Sequence, residues 1–193
     1  MALKNISEGA SFEIPDPGLI NCVITIVADV GLQSGPFGIK QKVYVGLELL
    51  GPTMSDGRPF ILTRPFTPTL NKAGNLLPFL ESLRGRSFTP DEKKNFDLTK
   101  IAGKPGRVIV QHSTSESGKV YANIASMLPP EKGQPTMAKS PILVYDTEEP
   151  DPAVYALLPE WLQKQIDSRV IPAVKPTAAV PPAAPDFDDD LTF

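Results

Sequence analysis

Cysteine and histidine each occur once in this sequence, and their scarcity removes whole classes of chemistry. Cys22 has no partner for an internal disulfide and sits in an apolar run, which reads as a small core residue in a reducing compartment. His112 stands in a Ser-rich loop with no Cys or His at ligand spacing, so it reads as a surface residue, not a metal ligand. A Gly-Lys-Ser/Thr phosphate loop and a Gly-x-Ser-x-Gly elbow are both missing. Acidic residues cluster only near the C-terminus, where no fold would fix the geometry that catalysis needs. The expectation is a protein that is not an enzyme and uses no cofactor or metal. No apolar run approaches membrane-spanning length, and no basic-then-apolar signal opens the chain. A cytoplasmic protein with no membrane partner is expected.

Proline, by contrast, is abundant at 22 of 193 residues, and it gathers in loops and the C-terminal third. Charge is also unevenly spread. From residue 20 to 130, Lys and Arg outnumber Asp and Glu by 13 to 8; from 131 to 193 the balance reverses to 5 against 11. A positive body with a negative tail points to a polyanionic partner for the body, and lets the tail compete for the same groove.

Residues 1–18 hold Gly9, Pro15, Pro17 and Gly18 and read as an irregular N-terminal arm. Residues 20–30 (INCVITIVADV) are β-branched and almost wholly apolar, the pattern of a strand buried on both faces or strongly curved. After a turn-rich stretch at 31–38, residues 40–50 alternate. Val43, Val45, Leu47 and Leu49 fall on one face; Lys40, Lys42, Tyr44, Gly46 and Glu48 fall on the other. A loop at 51–59 precedes a third strand, 60–67, in which Phe60, Leu62, Arg64 and Phe66 share a face that is either core or a stacking platform. Leu76, Leu80 and Leu83 predict a helix over 73–83 that stops at Gly85. Thr89-Pro90-Asp91-Glu92 is a capping box with proline at the first helical position, and a short turn is expected at 97–102. Strands at 107–111 and 119–127 form a last hairpin, again with a basic residue and a tyrosine, Lys119 and Tyr121, on the polar face. Within 131–171, a linker, residues 153–169 predict two short amphipathic helices around Trp161.

Five strands in residues 19–130, with a helical insert between the third and fourth, follow the plan of an OB-fold: a mainly β, five-stranded barrel. Such barrels take single-stranded nucleic acid on the face around their second and third strands, where aromatics stack bases and basic residues follow the backbone. The residues placed for that role are Lys40, Lys42 and Tyr44 with Lys119 and Tyr121, then Arg58, Phe60, Arg64 and Phe66.

The last segment, 172–193, begins as a Pro/Ala spacer (PAVKPTAAVPPAAP) and ends Asp186, Phe187, Asp188, Asp189, Asp190, Leu191, Thr192, Phe193. It lacks the apolar area to offset the entropy of ordering and is expected to be disordered. A solubilising tail would be acidic too, but needs no terminal phenylalanine. Fully extended, the segment would reach on the order of 70 Å. Its Asp-Phe-Asp-Asp-Asp run and final Phe193 closely resemble the acidic tip of bacterial single-stranded DNA-binding proteins, with Leu191-Thr192 where that family has Ile-Pro. The resemblance implies docking on replication and repair proteins, the phenylalanine in a pocket and the carboxylates, Asp186 to Asp190, clamped by basic residues.

Residues 18–130 also look like the core of phage-encoded single-stranded DNA-binding proteins. The likeness lies in Asp29-Val30-Gly31, the strand KQKVYVGLEL, the stretch from Leu83 to Thr89, and GKVYANI. It implies a protein that coats single strands, with little sequence preference, during phage replication, recombination or repair in the host cytoplasm. Cellular members of the class assemble several barrels, so the resemblance admits a homo-oligomer. Two alternatives stand beside it: an adaptor whose barrel binds protein, and a binder of single-stranded RNA, which contacts to the 2′-hydroxyl would distinguish.

Overall fold

A computed structural model of the chain describes residues 13–171. Its framework is a six-stranded, mainly antiparallel sheet whose path runs β3 (Pro59–Phe66), β2 (Gly38–Thr53), β1 (Gly18–Gly35), β4 (Pro105–Thr114), β5 (Val120–Leu128); β6 (Leu143–Tyr145) adds to β1 in parallel. Among the described residues four helices accompany it: α1 (Leu76–Arg84), α2 (Pro90–Lys94), α3 (Pro152–Leu157) and α4 (Glu160–Asp167), with a 3-10 turn at Leu98–Ile101.

β1 is buried on both faces, as its unbroken β-branched run requires. The device is a bulge. Ile24 pairs with Leu47 but Ile26 pairs with Gly46, so Thr25 is an extra residue and the alternation shifts by one. Cys22, Ile24 and Val27 therefore enter one core, while Ile26, Ala28 and Val30 enter another on the opposite face. Gly46 is the answer to Ile26 across the ladder: a Cβ there would lie 2.8 Å from that of Ile26. On β2, Val43, Val45, Leu47 and Leu49 are all buried, following the sequence alternation.

The first core lies between the inner sheet face and α1, which buries Leu76, Leu77, Phe79, Leu80 and Leu83. Phe79 packs on Phe66 with ring centroids 4.8 Å apart. The helix ends at Gly85, whose φ of 69° lets its N–H turn back to the Ser82 carbonyl.

The second core covers the outer face of β1 and β2 with β6, α3 and α4. Leu158, Leu162 and Ile166 are buried there. At about 1.5–3 kcal/mol for each fully buried side chain, these three amount to a large part of an ordinary domain's net stability. Residues 131–171, read from the sequence as a linker with short helices, thus contain the two expected helices and a strand the sequence does not announce.

The two ends of the sheet path, β3 and β5, come together where Arg64 Nη1 donates to the Ile124 carbonyl at 3.2 Å. Among the described residues no strand ladder joins them, and the sheet is open along that edge.

Candidate nucleic-acid interface

β1 and β2 run past the core into a hairpin closed at Pro36-Phe37, with Gly38 at φ 90°. Phe37 at the tip is 85% exposed, and the Lys40 ammonium lies 5.8 Å from its ring centroid. Phe37 was not among the expected residues. Its signal was available: a phenylalanine inside Gly35-Pro36-Phe37-Gly38 sits in a turn too tight to bring it back to a core.

Lys40, Lys42 and Tyr44 share the outer face of β2. Lys40 is exposed, Lys42 half-buried, and Tyr44 half-buried beneath α4. Trp161 of that helix meets the Tyr44 ring edge-on, with centroids 5.1 Å apart and planes at 74°. Burial pushes the Tyr44 hydroxyl above its ordinary pKa. Tyr44 is therefore partly covered by this helix.

What holds the covering segment is explicit. The Glu48 carboxylate, 0% exposed on the outer face of β2, accepts the N–H groups of Lys139 at 2.7 Å and Ser140 at 2.8 Å. Asp29 accepts from the Thr147 hydroxyl at 2.5 Å. Gln33 Nε2 donates to the carbonyls of Val30 and Gln165, both at 2.8 Å, and Val170 N–H donates to the Leu32 carbonyl at 2.7 Å. Each anchor satisfies a group whose burial would otherwise be costly.

The second expected pair is at the tip of the β4–β5 hairpin. Lys119 is exposed and Tyr121 is 50% exposed, opposite Ser113 in the ladder. Asn123 Nδ2 donates to Ser113 Oγ at 2.6 Å and stiffens this arm. The two basic-aromatic pairs thus occupy separate hairpins, with β1 and β4 between their strands in the sheet path.

The remaining candidates divide. Phe60 and Phe66 are buried in the first core, so neither presents a ring to a base; the shared face predicted for β3 is core, not platform. Arg64 lies on that face too, its guanidinium 5.4 Å from the Phe66 ring centroid and spent on Ile124. Arg58 is exposed and pairs with Asp56 at 2.7 Å, a contact of little strength in water. His112 is exposed and donates from Nε2 to the Pro15 carbonyl at 2.8 Å. Cys22 is buried, and desolvation pushes its thiol up to about 12, far from reactive thiolate. The acidic tip, Asp186 to Phe193, lies outside the described residues. A small cleft of about 240 Å³ lies elsewhere, between Leu50, Pro52, Pro135 and Met137.

Two exposed hairpins with paired basic and aromatic side chains can follow a phosphate backbone and stack bases. No protein-family model matches the chain and no curated protein matches it, so the functional reading rests on this geometry.

Proposed function

We propose that this chain is a non-enzymatic single-stranded DNA-binding protein with little sequence preference, serving replication, recombination or repair, and that its acidic tip recruits partner proteins. The fold that goes with it is an OB-type barrel of β1 to β5 with α1 inserted between β3 and β4. The strand order and the approach of β3 to β5 at Arg64 support that plan. The observation that carries the functional reading is the pair of exposed hairpins: Phe37 with Lys40, and Tyr121 with Lys119. In OB folds the loops at these two places in the strand order flank the nucleic-acid site. The resemblance of residues 18–130 to phage-encoded proteins is what points to a phage setting.

The test is anisotropy of a labelled oligodeoxythymidylate across a range of salt. Affinity should fall with salt at a log–log slope of roughly −0.7 per phosphate neutralised. Phe37→Ala and Tyr121→Ala should each weaken binding, since a stacked base contributes about 1–3 kcal/mol. Equal affinity for duplex and single strand would sink the stacking part of this reading.

The protein-binding adaptor is the second reading. The covering of Tyr44 by α4 favours it, because part of the expected nucleic-acid face is already occupied. It predicts that neither oligonucleotide binds.

A further inference from the structure

Trp161 sits in an unusual position for the side chain it is. Its neighbours on α4, Leu162 and Ile166, are buried in the second core. Trp161 itself, the one aromatic residue of that helix, is 41% exposed. It lies edge-on to Tyr44, on the face of β2 that also carries Lys42 and Lys40. One helical turn further, Lys164 is exposed, and its 2.7 Å pair with Glu160 is open to water on both sides. Such a pair is weak in water, and in it Lys164 balances the Glu160 carboxylate beside Trp161.

We infer that Trp161 is a base-stacking residue: the helix that covers Tyr44 replaces its ring with a larger one, one layer further out. The strip of contacts would then run from Phe37 and Lys40 at the hairpin tip, past Lys42, to Trp161. This inference rests on the proposed single-strand binding and adds α4 to it. An indole presents a wide π-face to any base, which suits binding without sequence preference.

The chain contains one tryptophan, so its emission reports this position alone. The full chain is titrated with labelled oligodeoxythymidylate while anisotropy and tryptophan emission are read together. The expected result is quenching of emission with the same midpoint as the anisotropy rise. Trp161→Ala should weaken binding roughly 5- to 150-fold, and Trp161→Phe should restore much of the loss. Leu157→Ala, on the exposed side of α3, should bind like the parent. A melting curve shows whether Trp161→Ala is folded; if it is not, the quenching decides. Anisotropy that rises with emission unchanged, or a folded Trp161→Ala that binds like the parent, would overturn this inference and leave single-strand binding standing. Anisotropy that never rises would overturn both.

Discussion

Glu92 ties the start of α2 to two arginines outside it. It closes the capping box of α2, accepting the Thr89 N–H at 2.9 Å while Thr89 Oγ1 accepts the Glu92 N–H at 3.2 Å. It also accepts from Arg86 at 2.7 Å and Arg84 at 2.6 Å, and Arg84 lies over the Phe88 ring at 4.0 Å. The two guanidiniums, Arg86 first, and the Thr89 N–H hold its carboxyl down at about 2, against an ordinary 4.5. A carboxyl depressed in the folded state favours folding when ionised. Its contribution is complete above about pH 4.5 and is lost as the pH falls from there to about 2. Urea denaturation at pH 7 and pH 3 should therefore show Glu92→Gln less stable than the parent at pH 7 and the gap narrowed at pH 3. A gap of the same size at both would mean that the charge plays no part. The capping box is legible in four consecutive residues; the arginine pairing is not, because it depends on how residues 85–88 fold back over α2.

Among elements, β2 does the most to organise the molecule, and Glu48 shows how. Its inner face is a run of aliphatics and its outer face carries one buried carboxylate that fixes the backbone of residues 139–140. Glu48→Ala leaves two N–H groups without their acceptor, at a cost of roughly 1–3 kcal/mol for each one that stays buried. The urea midpoint should drop, and limited proteolysis should cut first within residues 131–142. An unchanged midpoint with unchanged cleavage would show that the carboxylate is not the latch. The sequence made the hairpin strands legible wherever alternation was strong, as in β2, and placed α1 within three residues at its start. It did not reveal β6, which has only three residues, Leu143, Val144 and Tyr145, and takes its pairing from β1. Nor did it reveal the bulge at Thr25, since a bulge is a relation between two strands and leaves no mark in one. At the site, Lys40, Lys119 and Tyr121 stand exposed as their alternation implied, whereas Tyr44 is covered by a helix about 120 residues away in sequence, beyond the reach of local periodicity.

For the whole molecule, the governing asymmetry is charge: residues 20–130 carry an excess of Lys and Arg, and residues 186–190 hold four Asp. If the acidic tip visits the basic strip proposed for DNA, deleting the residues after Pro185 should raise oligonucleotide affinity at low salt. The gain should shrink as salt is added and screening grows. Equal affinity with and without the tip at low salt would mean that the two never compete. Phe193→Ala should leave oligonucleotide binding nearly intact and weaken capture of replication partners instead. The second core adds a constraint of another kind, on the order of events at the ribosome. β1 is made early, but the residues that cover its outer side, from Leu143 to Ile166, emerge more than a hundred positions later. Until they do, Ile26, Ala28 and Val30 with Tyr44 and Ile61 form a bare apolar strip on an otherwise completed sheet. A nascent chain paused near Pro130 is therefore a sticky species that must be shielded or finished quickly. A polypeptide trimmed at that boundary would inherit the same strip permanently.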